Sequence, residues 1–159
     1  MTASLKVGDQ APDLDLPGDR GDVRLADLRG KPVVVYFYPK DDTSGCTAEA
    51  KDFSLLADDF AAAGVVVVGV SKDTPKSHAK FRAKYDLSPV LASDLTGEVV
   101  DRWGVWVEKS LYGRKYMGIE RATVLVDSSG IVRRIWRKVK VKDHAAEVLD
   151  AARALGPEG

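Results

Sequence analysis

The amino-acid sequence predicts an α/β fold in which a central mixed β-sheet is flanked by helices. Two apolar runs rich in valine, Val33 to Tyr38 and Val65 to Val70, are typical of strands that are buried on both faces. A segment with helical periodicity lies between them. This strand–helix–strand order implies that the two strands are parallel neighbours joined by a crossover helix.

Helices and shorter elements follow in order along the chain. Helical spacing of apolar residues predicts the crossover helix from Ala48 to Ala63, and Gly64 supplies its stop. A second helix is predicted from Pro75 to Tyr85, because proline suits a first helical turn. A short strand near Val90 to Ala92 and a short helix near Glu98 to Trp103 come next.

The last third of the chain predicts a hairpin and a closing helix. Strands from Thr123 to Val126 and from Ile131 to Trp136 are separated by a turn-forming sequence. The final helix is predicted from His144 to Leu155, with Gly156 and Pro157 as its stop. An antiparallel pair added to parallel strands makes the predicted sheet mixed.

Length and charge limit the classes of function. The chain has 159 residues, which fits one domain spanning residues 1–159. Its 24 basic and 24 acidic residues cancel, so no strong positive field attracts nucleic acid or a membrane surface. Neither a run of about 18 apolar residues nor an apolar N-terminal stretch occurs, and we therefore expect a cytoplasmic protein.

Cys46 is the only cysteine, so the chain cannot form an intramolecular disulfide. A free cysteine is most often a buried structural residue. The neighbours of Cys46 are polar, however, and we expect the apolar stripe of the helix to begin only at Phe53. Cys46 follows a strand and precedes a helix, where sites of open α/β sheets lie and where unpaired N–H groups favour a thiolate.

A reactive Cys46 needs more than a helix terminus. Shifting an ordinary thiol by two pKa units takes about 3 kcal/mol, whereas a helix terminus supplies at most ~2 kcal/mol. A nearby cation is therefore required, and Lys40, His78, Arg121 and several other residues remain candidates. A Cys/His hydrolase is the rival enzyme class, with His78 as its only plausible base.

Three separated blocks resemble the peroxiredoxins, specifically the bacterioferritin comigratory protein or Q-type group. In FYPKDDTSGCTAEAKDF, residues Pro39, Thr43 and Cys46 match the family pattern P-x-x-x-T-x-x-C. The other blocks are WGVWVEKS, from Trp103 to Ser110, and YGRKYMGIERATVLVD, from Tyr112 to Asp127. Because all three occur in the family's order, chance is an unsatisfactory explanation.

The resemblance extends from about Val7 to Leu155 and implies a thioredoxin-like fold without a cofactor. It implies a thiol-dependent peroxidase, in which a cysteine thiolate attacks a hydroperoxide and becomes a sulfenic acid. It also assigns roles: Cys46 is the nucleophile, Thr43 orients the peroxide, Arg121 is the cation, Pro39 shapes the loop, and the N–H groups of Gly45 and Cys46 stabilise developing charge.

Two positions depart from the family pattern. Many members carry a second, resolving cysteine five residues after the first, where this chain has Lys51, and Ser44 stands where proline is common. The resemblance therefore implies a one-cysteine enzyme that an external thiol, namely thioredoxin, glutaredoxin or glutathione, reduces. Q-type relatives suggest a monomer. The alternative is a catalytically weak peroxide sensor or binding module that relays oxidation to a partner thiol.

The remaining polar patterns favour structural interpretations. His78 and His144 lack other ligands at metal spacing, so we expect surface histidines and no metal site. Solvation is a sufficient explanation of the adjacent Asp41 and Asp42. The basic segment RRIWRKVKVK, residues 133–142, is interpreted as an edge strand protected by lysines rather than as a nucleic-acid surface.

Aromatic and glycine patterns complete the sequence-based predictions. Trp103 and Trp106 are expected in the core. The glycine-containing segment from Lys109 to Glu120 is predicted to be an ordered loop that borders a site. No G-x-G-x-x-G pattern occurs, so neither a flavin nor a nicotinamide cofactor is expected.

Overall fold

A computed structural model describes residues 5–155 of the chain. Nine strands occur in this part, in chain order β1 (Asp15–Leu16), β2 (Val23–Arg24), β3 (Val33–Phe37), β4 (Val66–Ser71), β5 (Val90–Ser93), β6 (Trp106–Leu111), β7 (Arg114–Ile119), β8 (Ala122–Val126) and β9 (Val132–Trp136). The α-helices described are α1 (Ser44–Leu55), α2 (Ala57–Ala62), α3 (Pro75–Tyr85), α4 (Glu98–Arg102) and α5 (His144–Ala154). A 3₁₀ turn at Leu25–Leu28 precedes β3.

The central sheet has five strands in the order β5-β4-β3-β8-β9. β3 pairs in parallel with β4, and β4 with β5, because α1–α2 and α3 return the chain to the same edge. β8 and β9 add antiparallel neighbours on the other side. The predicted mixed sheet flanked by helices is confirmed, including its strand–helix–strand beginning.

β3 is buried on both faces, as its continuous apolar sequence predicts. Val34 and Tyr36 point into one apolar cluster, which also contains Phe53 of α1 and residues of α3 and α5. Val35 and Phe37 point into the opposite cluster. The carboxyl end of β3 therefore lies between two packed layers, and the loop that follows it is held against a rigid support.

The helix predicted over residues 48–63 differs from the structure in two ways. It begins earlier, at Ser44, and it breaks at Leu56, whose φ of −97° and ψ of 9° interrupt the helix and separate α1 from α2. The early start has a functional consequence. It places Cys46 inside the first turn of α1 rather than before the helix.

The predicted loop over Lys109 to Glu120 is wrong, because most of this segment belongs to an antiparallel hairpin. β6 and β7 pair along their length. Tyr112 and Gly113 form the connection with φ values of 50° and 78°, the left-handed geometry that a two-residue hairpin turn requires. Glycine at the second position adopts that geometry without strain, so a turn explains the glycine that was interpreted as a loop signal.

The basic segment after the second hairpin is only partly an edge strand. β9 is the edge of the sheet and carries exposed Arg133 and Arg134, but it ends at Trp136. The alternating residues 138–142 lie beyond it, which corrects the prediction of a lysine-protected strand there. The predicted helix stop at Gly156 and Pro157 lies outside the described residues. Within residues 5–155, no helix is long and apolar enough to cross a membrane.

Candidate active site

Cys46 lies at the point where β3 delivers the chain to α1. Thr43 is the N-cap of α1, with the extended backbone (φ −89°, ψ 157°) that precedes a helix. Cys46 is 2% exposed and joins the apolar cluster formed by Ala50, Tyr36 and Tyr38. The apolar stripe therefore begins at Cys46 and not at Phe53, which corrects the sequence-based expectation. Burial alone would favour a structural cysteine.

Arg121 gives this buried sulfur a polar neighbour. The antiparallel register of β3 and β8 places Phe37 opposite Ala122, so Arg121, one residue earlier, lies level with the start of the loop. Its Nη2 lies 3.4 Å from Cys46 Sγ and donates a hydrogen bond to it. Among the cations that the sequence left open, Arg121 is therefore the one that the fold brings to the sulfur.

Glu49 holds the other side of the same guanidinium. It lies three residues after Cys46 on one face of α1, and its Oε1 accepts a 2.8 Å bond from Arg121 Nη1. The Glu49 side chain is 1% exposed. Burial raises the pKa of Glu49 to about 7, against the attraction of Arg121. Its Oε2 has no hydrogen-bond partner among the described residues, so the carboxylate is incompletely satisfied.

Sequence reasoning missed Glu49, although the i, i+3 spacing from Cys46 could have indicated it. The charges of this cluster act on one another. Burial lowers the pKa of Arg121, but Glu49 and Cys46 outweigh burial and the net shift is upward. Arg121 therefore remains a cation between two groups that can carry negative charge.

Gly45 makes the close approach of Arg121 possible. A Cβ atom at this position would lie 2.9 Å from Arg121 Nη2. Thr43, which is exposed, donates from Oγ1 to the Lys40 carbonyl oxygen over 2.9 Å. Pro39 is exposed at the start of the same loop. The five residues that the resemblance singled out thus occur around one helix N-terminus.

Lys109 of β6 is a second cation of this region that the sequence did not indicate. Burial lowers the pKa of Lys109, and the charge of Arg121 lowers it further, while Cys46 acts in the opposite direction. The hairpin mistaken for a loop therefore brings a positive charge towards the cysteine and arginine. The prediction that this segment borders the site stays a prediction, whereas its conformation is a hairpin and not a loop.

His78 does not lie on the surface, which corrects the sequence-based expectation. It is 0% exposed, and its ring nitrogens lie 2.8 Å from Asp41 Oδ2 and 3.0 Å from the Ala92 carbonyl oxygen. Asp41 is also buried, so solvation does not explain it, whereas Asp42 is exposed. Both nitrogens of His78 are engaged by oxygen atoms, and this removes the only base proposed for a Cys/His hydrolase.

His144 is likewise buried rather than exposed. Its Nε2 lies 2.8 Å from Thr123 Oγ1, and burial lowers its pKa. Trp103 lies in the core as predicted, at 1% exposure, while Trp106 is half-buried beneath Lys72 Nζ, which lies 4.6 Å from the ring centre. Residues 5–155 contain no cluster of three or more potential metal ligands.

A thioredoxin-like sheet that presents a cysteine in a helical first turn beside an arginine defines a thiol-dependent peroxidase. Comparisons with known proteins agree with this class. The AhpC/TSA family model matches residues 7–135. The chain belongs to this family and is a peroxiredoxin of the bacterioferritin comigratory protein, or Q, group, without the second cysteine that many members carry.

Relatives cover nearly the whole chain. A putative peroxiredoxin Bcp of Coxiella burnetii is 49% identical over 147 residues, which are 92% of this chain and 97% of that protein. Peroxiredoxin Bcp of Bacillus subtilis is 46% identical over 153 residues, 96% of this chain and 98% of that protein. These identities extend well beyond the residues around Cys46.

Solved structures show the same fold. The bacterioferritin comigratory protein of Xanthomonas campestris, whose structures address alkyl peroxide reduction, has a TM-score of 0.87 and 41% identity and covers 96% of this chain and 98% of its own. A peroxiredoxin Q mutant of Xylella fastidiosa has a TM-score of 0.90 and 34% identity, with coverage of 96% and 98%. The resemblance inferred from three sequence blocks is confirmed across the fold.

Proposed function

We propose that Cys46 is the nucleophile of this thiol-dependent peroxidase and accepts an oxygen atom from the peroxide. Its peroxide site is formed by Arg121, Thr43, Gly45 and Pro39. One observation carries the proposal, the 3.4 Å contact between Cys46 Sγ and Arg121 Nη2 in the first turn of α1. Two sources of positive potential, the guanidinium and the helix N-terminus, then act on one sulfur. A purely structural cysteine would need neither.

The first step transfers one oxygen atom. The Cys46 thiolate attacks the distal oxygen of ROOH, so that an S–O bond forms while the O–O bond breaks. The sulfur is oxidised to a sulfenic acid, and the alkoxide that leaves takes a proton from solvent to become ROH or water. Arg121 and the N–H groups of Gly45 and Cys46 stabilise the negative charge that moves from sulfur to the leaving oxygen.

Thr43 orients the peroxide as a hydrogen-bond acceptor. Its hydroxyl proton is directed to the Lys40 carbonyl, so the remaining lone pairs of Oγ1 face outward. The peroxide O–H donates to this oxygen, and the guanidinium donates to the peroxide oxygens. Donors and an acceptor on opposite sides align the O–O bond with the sulfur.

The second step regenerates the thiol with an external reductant. Cys46 is the only cysteine, and Lys51, five residues later, is exposed with its Nζ 4.8 Å from the Tyr85 ring centre. A thiol R′SH attacks the sulfenic sulfur, releases water and leaves a mixed disulfide. A second R′SH releases Cys46 as R′SSR′ forms. Thioredoxin, glutaredoxin and glutathione supply such thiols.

The experiment that tests the nucleophile is intact mass spectrometry after one equivalent of hydrogen peroxide with a sulfenic-acid trap. The wild type should gain one adduct, and Cys46→Ser should gain none. An adduct on both proteins, or on neither, would contradict the assignment.

Turnover with thiols then separates the peroxidase from the alternative of a weak peroxide sensor. Without a thiol, the protein should consume one equivalent of peroxide and stop. With one of the three thiols, consumption should continue for many cycles, whereas a sensor would stay slow with all of them. We further propose that the protein is cytoplasmic and acts as one domain over residues 1–159. We also propose that it is a monomer, and sedimentation at several concentrations would test this.

A further inference from the structure

A second buried charged cluster lies on the side of β3 away from Arg121. Its centre is the Asp41 carboxylate, in the loop between β3 and α1. Oδ1 accepts a 2.6 Å bond from the Tyr38 hydroxyl, and Oδ2 accepts a 2.8 Å bond from the Ser77 hydroxyl. His78 Nδ1 also lies 2.8 Å from Oδ2. The mechanism above assigns no role to any of these groups.

Both ring nitrogens of His78 are held by oxygen atoms. The Ala92 carbonyl can only accept, so Nε2 donates to it over 3.0 Å. A further hydrogen bond joins Nδ1 to Asp41 Oδ2 over 2.8 Å. Tyr38 and Ser77 also donate to the Asp41 carboxylate, which therefore ties α3 to the loop between β3 and α1.

The other charged groups nearby are already satisfied. Arg82, one helical turn after His78, forms a two-pronged ion pair with Asp19 at 2.6 and 3.0 Å. Asp73 accepts from the backbone N–H of Asp41 at 2.8 Å and from the Ser71 hydroxyl at 2.7 Å. Asp41 is therefore the acidic side chain of this region that binds His78.

This cluster holds the loop between β3 and α1, which carries Thr43, through hydrogen bonds of the backbone as well as of the side chains. The Asp41 N–H is bound by Asp73, its carboxylate is bound by α3, and Thr43 follows two residues later. Asp42 between them has a φ of 59° and pairs with Lys84 of α3 at 2.8 Å. The loop that carries Thr43 is thus fastened to α3 and to the segment that follows β4.

We propose that the Asp41–His78 pair is a positioning device for the peroxide site, which holds Thr43 and the first turn of α1 in register with Cys46. The proposal rests on the peroxidase function above. Loss of either partner would leave buried polar atoms of the cluster without hydrogen bonds, and the loop that they hold would shift.

Two variants test the pair. In His78→Gln, the short amide cannot bridge Asp41 and Ala92 together, and the single-turnover rate of Cys46 with hydrogen peroxide should fall about 10- to 100-fold at pH 7, as expected for a misplacement near 1 Å. In Asp41→Ala, the bonds that Tyr38, Ser77 and His78 make to the carboxylate are all lost, and a fall of the same size is expected. Asp58→Ala is the matched control, because it removes an exposed carboxylate of α2.

The ratio of two rates distinguishes positioning from a general effect on folding. At pH 7, the rate with hydrogen peroxide should be divided by the rate of Cys46 alkylation with iodoacetamide, which removes the contribution of thiolate formation. This ratio should fall at least about tenfold in His78→Gln and in Asp41→Ala, and stay within about twofold of the wild type in Asp58→Ala. Thermal unfolding shows whether each variant is folded at the temperature of the assay.

Two outcomes overturn the positioning role. They are a ratio for His78→Gln or Asp41→Ala within about twofold of the wild type, and a ratio for Asp58→Ala that falls as far as theirs. If His78→Gln and Asp41→Ala are both unfolded, Ser77→Ala, which removes one donor to Asp41, decides in their place, and an unchanged ratio overturns the role. Failure of wild-type Cys46 to react with peroxide would instead contradict the proposed function, and the two failures are therefore distinguishable.

Discussion

Two buried pairs of polar side chains flank the carboxyl end of β3, and they differ in how completely their hydrogen bonds are satisfied. In the Asp41–His78 pair, every nitrogen and carboxylate oxygen has a partner. In the Arg121–Glu49 pair, one guanidinium nitrogen meets a sulfur and Glu49 Oε2 has no partner among the described residues. The satisfied pair binds the loop between β3 and α1, whereas in the other pair Arg121 Nη2 faces the sulfur and can donate to negative charge that develops there.

Removing the arginine should have the largest effect. Arg121→Met deletes the cation next to Cys46 and leaves Glu49 buried without a partner, so we expect peroxide reduction to slow by at least about 100-fold. Stopped-flow single-turnover kinetics measure this. Arg137→Met is the matched control. Arg137 Nε forms a 2.7 Å ion pair with Glu120 Oε2, and this pair lies away from the sulfur. Equal losses of rate in Arg121→Met and Arg137→Met would contradict a specific role of Arg121 at the sulfur.

The hydroxyl of Thr43 should matter less than the cation. Thr43→Val keeps the shape of the side chain but removes the acceptor and its bond to Lys40, and the rate should fall about tenfold, consistent with one hydrogen bond. Thr43→Ser should retain most of the rate. If the valine variant matches the wild type in the same kinetic assay, the peroxide is oriented by other groups.

Gly45→Ala should produce a smaller loss, of about threefold to tenfold, because the added methyl displaces Arg121 by a fraction of an ångström rather than removing it. Ser44→Ala, in the same helical turn but exposed, serves as the control. The rate of each is measured with hydrogen peroxide and with a bulky hydroperoxide. An unaffected alanine variant would show that Arg121 tolerates this displacement.

Glu49→Gln should change the rate least, by about threefold or less, since the amide oxygen can still accept from Arg121. Stability should reveal its charge. The folded-state pKa of about 7 lies above the ordinary value of 4.5, so the wild type loses stability as pH rises from about 4.5 through 7, by on the order of 3 kcal/mol.

Urea unfolding from pH 4.5 to 8 tests the charge of Glu49. Glu49→Gln should lack this part of the decline, and Glu108→Gln, which removes an exposed carboxylate of β6, should retain it. Parallel profiles for the wild type and Glu49→Gln would show that the Glu49 carboxyl titrates at its ordinary value, and that the unsatisfied pair is as well compensated as the satisfied one.

The sequence predicted the strands of the sheet well because they are strongly apolar, and because the β3–β4 crossover and the β8–β9 hairpin join strands that are close in sequence. The roles of Cys46, Thr43 and Arg121 were predicted from the family resemblance, in which motif spacing covers only Pro39, Thr43 and Cys46. These roles stay predictions, although the fold places Arg121 beside Cys46. Asp41, His78 and Glu49 were misjudged or missed, since their burial depends on α3 and β8 packing against β3. Side-chain polarity predicts exposure only until tertiary structure supplies partners.

The hairpin of β6 and β7 was missed for a related reason. Its residues are mostly exposed on both sides, so neither face is apolar and the alternation that marks a strand is absent. Only the turn at Tyr112 and Gly113 carried local information. A strand that packs one face on a core shows an alternating apolar pattern in sequence, whereas the mostly exposed β6–β7 hairpin shows none.

The N-cap of α1 has a consequence for the second half of the catalytic cycle. The Thr43 hydroxyl donates to the Lys40 carbonyl oxygen and makes no capping hydrogen bond to the helix. The first turn of α1 therefore lacks roughly 1 kcal/mol of the stabilisation that an N-cap side chain usually supplies. Fraying of this turn would expose a sulfur that is otherwise too enclosed for a large reductant. We expect amide hydrogen exchange at residues 44–47 to outpace that of the following turns, and to accelerate once the sulfur has been oxidised.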